Sequence, residues 1–371
     1  MHVGLTRQHA LLYNTLDGET IESNKAEIIE LLRKTTQKKN CGVSLLRHGE
    51  YEQKDINAFI QEMREKYMGD IIDVALSKGK PVQLLPFFNF PDPNKLDIYK
   101  KHNFSSSKDA LEKLSEISIH VDHTTDVAKL IPFLQSASGR ITFSLVGNIW
   151  SVENYTELLS FLNQYPFLKN IVCSYKHIMI SQTALEGKFL YKIQVQFPID
   201  RQKWDNSRQI LLQQALPFEY VFEVTSAEDC EHAEQLIKQF QIEKYQLHPV
   251  YTGDNIRFFE ENIFLTKEDI LASSLSIKDF FTHQAMNIYD FGKLNIMPNG
   301  DVYANVNHPV LGSIHTHSIY EIACKEVEEG KSWLRIRNQA PCNNCVYQWL
   351  CPHPSNYEIV IGRPNLCHVK Q

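Results

Sequence analysis

The chain lacks every short motif that would assign it a familiar chemistry. Neither G-x-G-x-x-G nor G-x-x-x-x-G-K-[ST] occurs among its 371 residues, so no glycine-rich loop is set to cradle a nucleotide phosphate. H-E-x-x-H and G-x-S-x-G are missing too, which removes the zincin and nucleophile-elbow readings. No apolar run reaches the roughly eighteen residues of a membrane helix. The opening text, MHVGLTRQHALLYNTLDGE, has no apolar stretch of the secretory kind. The formal net charge is −6, so the overall balance offers no basic field for nucleic acid. These absences predict a cytoplasmic protein with reduced thiols and with neither membrane nor nucleic acid as partner. With 43% hydrophobic and 22% charged residues, the chain has a globular composition and enough length for two or three domains.

Cysteine is scarce except at one end. Cys41, Cys173, Cys230 and Cys324 stand singly, whereas Cys342, Cys345, Cys351 and Cys367 fall within the last thirty residues. Their spacing is C-x2-C-x5-C, a fifteen-residue gap, then C. A C-x2-C pair presents two thiolates from one tight turn, and a third and a distant fourth can close a tetrahedral site. Four soft thiolates select zinc or an iron–sulfur cluster over magnesium or calcium. His353 and His368 flank two of the cysteines, but four thiolates already complete a site without them.

Residues 1–75 read as a small module. Two apolar segments between His9 and Ser23 flank Asp17-Gly18, a hairpin turn signal. Asn24 with Glu27 predicts a capped helix start, and Gly42 to Leu46 a further short strand. Ile56, Phe59, Ile60, Met63 and Tyr67 mark one buried stripe of a helix over Lys54 to Tyr67. A hairpin with short amphipathic helices suggests a winged-helix-like unit, its several acidic residues diluting any basic face.

Residues 76–280 alternate strand and helix. Candidate strands are VQLLPFFNF, ISIHV, ITFSLVG, IVCSY, YKIQVQF, YVFEV and YQLHPV. Helices are expected from Thr125 to Gln135 and after Ser226, where Asp229 completes an S-x-x-D cap. About seven strands with helical crossovers predict an α/β fold with a parallel sheet, an incomplete (β/α) barrel. Sites in such folds lie at the carboxyl ends of strands, where His120, Asp122, His123, Lys176, His177 and His248 stand without a tight ligand spacing, and Asn89 falls near the same barrel mouth. No acid–base pair is singled out, so the catalytic residues stay unknown.

With these elements in place, the chain resembles the pseudo-radical-SAM/SPASM proteins associated with ribosomally made peptides carrying double-glycine-type leaders. The resemblance is carried by KLNIMPNGDVYANVNHPVLGSI around Gly300, by the C-x2-C-x5-C run, and by the LCPHPSNYE and GRPNLC texts. It implies a degenerate radical-SAM-like partial barrel over 76–280 and a partial, cysteine-rich SPASM-like domain over 281–371. Against the full SPASM pattern, Asn305 and Ser355 stand where cysteines are expected, and no cysteine lies between Cys230 and Gly300. The missing ligands are those of the first auxiliary cluster, and the four of the second are all present. C-x3-C-x2-C occurs nowhere, and the segment FPDPNKLDIYKKHNF, which should carry it, has no cysteine. The resemblance therefore implies one [4Fe–4S] cluster on Cys342, Cys345, Cys351 and Cys367, with zinc as the alternative, and no S-adenosylmethionine.

The implied role is a scaffold or peptide-binding accessory that takes a precursor peptide beside a true radical SAM/SPASM maturase. The N-terminal module would capture an extended leader along a sheet edge, with Asn57, Gln61 and Arg64 near the groove. His120, Asp122 and Lys176 would hold more of the peptide at the barrel mouth. Two other readings stay open: an enzyme or electron relay using the single cluster, and a zinc-containing winged-helix regulator.

Overall fold

The computed structural model describes residues 1–40, 42–77, 111–137, 140–179, 181–329 and 331–369. Two sheets organise it. The first is antiparallel, in the order β1 (His2–Leu5), β2 (Ala10–Tyr13), β3 (Thr20–Ser23). All four residues of β2 are buried, because it is the central strand and both of its faces are covered. Ala10 and Leu12 pack with Val3 and Ile21 against the module's own helices, Ala26–Thr35 and Lys54–Glu65. Leu11 and Tyr13 pack the other way, on Ile270, Phe280, Val346, Tyr347, Trp349 and Leu350. Gly18, at φ +82°, closes the expected turn, where the Asn14 amide donates to Asp17 at 2.8 Å.

Two details of the module differ from the sequence reading. The third strand is His2–Leu5, and residues 42–46 form no strand. The helix expected from Asn24 starts at Ala26 behind Lys25, with no side-chain cap. The hairpin alone supplies two strands, and pairing of the chain's first residues with β2 completes the sheet before any edge is left for 42–46.

The second sheet has nine strands, ordered β12-β11-β10-β4-β5-β6-β7-β8-β9. Six of the seven expected strands are present as β4 (Glu116–Val121), β5 (Thr142–Gly147), β6 (Lys169–Ser174), β7 (Leu190–Gln196), β8 (Phe218–Val224) and β9 (Tyr245–Pro249). Each is parallel to the next, and a helix lies in every crossover, as parallel neighbours require. The seventh, VQLLPFFNF, lies outside the described residues. Alternate strand residues such as Ile119, Leu145, Ile171, Ile193 and Phe222 point to the helices and form the main core with Leu134, Leu162, Trp204 and Leu236. Two helix starts follow the capping logic. Asp126 accepts from the Lys129 amide ahead of Val127–Gln135, and Ser226 from the Asp229 amide ahead of Ala227–Phe240.

The segment after residue 281 joins this sheet. β10 (Lys293–Ile296) runs parallel to β4, and β11 (Asp301–Tyr303) and β12 (Gly312–Ser313) add antiparallel beyond it. The turn between β10 and β11 passes through Gly300 at φ +86°, where a Cβ would come within 2.6 Å of the His315 ring. β4 thus has β5 on one side and β10 on the other.

Candidate metal centre

The segment 331–355 has no regular structure beyond one 3₁₀ turn, Cys342–Asn344, and side chains fix its path. Arg335 donates to the carbonyls of Pro354 at 2.9 Å and Ser355 at 3.2 Å. Arg337 donates through Nε to the Pro352 carbonyl at 2.6 Å and meets the Glu358 carboxylate at 2.8 Å. Asn287 reaches the Pro354 carbonyl and His283 the Trp349 carbonyl, both at 2.8 Å. These bonds hold the C-x2-C-x5-C run in a loop that turns its thiols inward.

Cys367 arrives from the far end of the chain. It forms a parallel bridge with Leu265, immediately before the helix Lys267–Ala272. The result is one cavity of about 20 Å³ walled by Cys342, Cys345, Cys351 and Cys367. Leu265, Ile270, Leu366 and Val369 keep much of the wall apolar, and Arg337, Gln348 and Asn365 supply the polar part. The Asn365 amide lies 3.1 Å from the Cys367 sulfur, and Arg337 Nη1 lies 4.0 Å from the Cys342 sulfur.

The donor set suits a soft metal group, since four sulfurs and no carboxylate line the cavity. Its volume exceeds the ~10–15 Å³ that one water needs. Among the described residues no three His, Cys, Asp or Glu side chains are gathered closely enough to hold one metal ion. Zinc at a Zn–S distance of 2.3 Å would draw the sulfurs to about 3.8 Å from one another. Burial pushes the Cys351 thiol up to about 12 and raises Cys342 and Cys345 as well, with Arg337 opposing. Burial works against the charge of Arg337, but Glu358 and then Cys351 and Cys342 more than offset it.

Neither histidine of the region lines the cavity. His353 is buried against His283, with ring centroids 4.4 Å apart, and burial with that neighbour lowers its pKa to about 4. His368 meets the Glu260 carbonyl at 2.8 Å. Asn305 and Ser355, the two positions without the expected cysteines, fall in one polar network. The Asn305 amide donates to Asp290 at 3.0 Å and to Asn356, while Arg335 reaches both Asp290 and the Ser355 carbonyl. Asp290, Asn305 and Arg335 are largely buried there. Sequence spacing gave no sign of Arg335, Arg337 or Glu358, which act only once the loop has folded.

The other candidates lie elsewhere. Asn57, Gln61 and Arg64 share one stripe of Lys54–Glu65, and Arg64 pairs with Asp70 at 2.6 Å. This helix flanks β3. Asp55 at its start meets Lys25, and Lys66 just past its end donates to the Thr20 carbonyl at 2.7 Å. The pairing of Asn14 with Glu19 fixes the alternation, so Thr20 and Glu22 turn their backbone groups to the outer edge of β3. His120 and Asp122 stand at the carboxyl end of β4 and Lys176 just beyond β6, with β5 between them. His120 lies on the sheet face opposite the helices, a face that also carries Glu116, Ser118, Asn170, Lys192 and Glu219. Asn89 and the segment 90–104 lie outside the described residues.

Among the described residues no helix is long and apolar enough to cross a membrane. No family profile and no curated protein matches the chain. Solved structures to which the chain is similar include three bound to a ligand or peptide. Native anSMEcpe with bound AdoMet and Kp18Cys peptide is 13% identical, at a TM-score of 0.44 over 64% of this chain and 88% of that one. Streptococcus suis SuiB bound to S-adenosylmethionine is 10% identical, at 0.40 over 99% and 97%. Streptococcus suis SuiB bound to precursor peptide SuiA is 10% identical, at 0.42 over 100% and 99%.

Proposed function

We propose that the protein is a non-catalytic accessory in the maturation of a ribosomally made peptide, holding one metal group on its four C-terminal cysteines and a precursor peptide on its N-terminal module. The convergence of Cys342, Cys345, Cys351 and Cys367 on one cavity, from segments on either side of the helix Asn356–Ile361, carries this reading. A [4Fe–4S] cluster is favoured over zinc only by the resemblance of the C-x2-C-x5-C and final cysteine to the second-cluster ligands of SPASM proteins. Bound there, the group would cross-link the loop to the chain's end and could relay an electron. With four thiolates it has no ligand position open to S-adenosylmethionine. A radical SAM/SPASM maturase acting on the same peptide would supply the chemistry.

Peptide capture rests on the outer edge of β3. An extended chain added there would pair with the Thr20 amide and with Glu22, the Thr20 carbonyl being already held by Lys66, with Asn57 and Gln61 on the neighbouring helix to read side chains. The winged-helix regulator reading is weaker, since this module bears no basic stripe and one sheet face is occupied by the cysteine loop.

Anaerobic purification with iron, sulfide and zinc analysis and a visible spectrum tests the metal. Four irons per chain with a broad absorption near 400 nm is the form expected of such a cluster. Cys345→Ser should release the group, and wild-type protein with neither iron nor zinc after reconstitution would remove this half of the reading. For the peptide, a fluorescein-labelled precursor carrying a double-glycine leader is titrated by anisotropy. Replacing Asn57, Gln61 and Arg64 together by Ala should weaken it about tenfold. Unchanged affinity in that variant, with loss in His120→Ala/Lys176→Ala, would move the peptide to the sheet of the barrel.

A further inference from the structure

The five residues between Cys345 and Cys351 are Val346, Tyr347, Gln348, Trp349 and Leu350, and four of them form the surface on which the N-terminal sheet sits. Val346, Tyr347, Trp349 and Leu350 pack with Leu11 and Tyr13 of β2. Gly4 of β1 lies so close that a Cβ would come within 2.2 Å of the Val346 carbonyl oxygen. The Tyr347 hydroxyl donates to Glu22 of β3 at 2.8 Å. The second wall of this seat is the segment that carries the fourth cysteine. Leu265 is bridged to Cys367, and the helix that follows sends Ile270 into the same cluster and Lys267 to Glu22 at 2.9 Å. Tyr13 completes the contact, its hydroxyl accepting from the Leu275 amide at 2.7 Å.

The three strands therefore rest on two chain segments that touch through side chains, with Lys267 over the Tyr347 ring and Ile270 packed on the loop, and that the four-cysteine centre would tie by metal–sulfur bonds. Between its second and third cysteines the loop has neither helix nor strand to hold it. The seam is also incompletely filled. A cleft of about 360 Å³ runs between β1, the end of the helix Ala26–Thr35 and the loop, and Cys345 borders both this cleft and the metal cavity. A seam that opens to solvent along this cleft has fewer buried apolar contacts to hold it, so its equilibrium is open to bias from one wall.

We infer that metal occupancy of the four-cysteine centre controls the docking of the N-terminal module, so that the sheet edge offered to a peptide is set in place only when the centre is loaded. This rests on the reading that the four cysteines hold a metal. The coupling is thermodynamic and so works in both directions: whatever loosens the seam must also loosen the metal.

Hydrogen exchange on the full chain tests it. In metal-loaded protein the amides of residues 2–23 exchange slowly. Cys345→Ser, or chelation of the wild type, should speed their exchange at least tenfold, while β4–β9 stay protected and report that the large sheet remains folded. Gly4→Ala forces the seam apart without touching a ligand, and Tyr347→Phe is a milder second variant that removes only the bond to Glu22. Both should release metal to a chelator faster, Gly4→Ala at least fivefold. Wild-type protein that takes up no metal would remove the metal reading and this inference together. Metal-binding wild type whose residues 2–23 exchange within twofold in the loaded and stripped states would overturn the inference alone. So would metal release from Gly4→Ala at the wild-type rate.

Discussion

Replacing Arg337 by Leu tests how the cysteine loop is held. Arg337 is 9% exposed, and its partner Glu358 is 6% exposed. The guanidinium spans the 2.8 Å contact to Glu358 and the 2.6 Å bond to the Pro352 carbonyl, with the Cys342 sulfur 4.0 Å away. Leucine fills much of the volume but leaves the buried Glu358 carboxylate without its paired cation, with only the more remote Arg335 to offset its charge. Breaking a buried ion pair from one side costs about 3–5 kcal/mol, whereas replacing both members with apolar groups is often neutral. Arg337→Leu should therefore lower the unfolding free energy of the C-terminal region by about 3–5 kcal/mol. Arg337→Leu/Glu358→Leu should recover most of that, less ~1–2 kcal/mol for the carbonyls that Arg337 no longer satisfies. Urea unfolding followed by tryptophan fluorescence reads the effect, since Trp333 and Trp349 both lie in this region. A single variant within ~1 kcal/mol of wild type would refute the reasoning, as would a double variant no better than the single.

Three further outcomes can be checked in the same way. Glu326 is 1% exposed and accepts from the Ser332 and Trp333 amides at 2.7 Å, yet burial raises its pKa above the ordinary 4.5. A raised carboxyl stabilises the fold fully below 4.5 and loses that stability as pH rises through its folded value, so Glu326→Gln should gain on wild type as pH rises from 4 to 8 in paired melts. Asn305→Leu strips the buried Asp290 of its 3.0 Å donor and should cost about 2–4 kcal/mol, read by chemical denaturation. Trp204 is fully buried against Tyr175, Tyr220 and Phe240, so Trp204→Ala should cost about 3–5 kcal/mol while the metal content of the purified protein stays unchanged.

The parallel sheet was legible because its strands carry their own signal. ISIHV, YKIQVQF and YVFEV alternate buried and half-buried residues, and Asp126 and Ser226 cap the helices next to them. The module was harder. Its third strand, HVGL, is short and includes a glycine, so it gives little periodicity; its pairing is set by β2 and by the loop pressed on Gly4. Capping failed at Asn24 for a related reason: the Ser23 hydroxyl takes the Lys25 amide at 3.2 Å, and the helix begins one residue later at Ala26. The four cysteines were readable from spacing, since C-x2-C implies a turn whatever surrounds it. The groups that aim them were not. Arg335, Arg337, Asn287 and His283 act through carbonyls of residues that are distant from them or follow no fixed spacing, and sequence distance does not encode such contacts.

The two positions that depart from the SPASM pattern bear on why four cysteines remain. A site that is simply decaying leaves polar or charged groups without partners, because each loss is independent of the next. Around Asn305 and Ser355 most groups are paired, while buried Asp290 Oδ2 and Arg335 Nε make no hydrogen bond. Asn305 bridges Asp290 and Asn356, and Arg335 ties Asp290 to the carbonyls on either side of the Pro354–Ser355 bond. A buried network of this kind favours the fold only when its members satisfy one another, since a half-paired one is worse than an apolar core. Beside this network four thiols line one cavity, buried groups that a metal would satisfy. On the proposed reading, this polar network occupies the positions where the SPASM pattern has cysteines, and the adjacent thiol cavity is the place left for a single metal group.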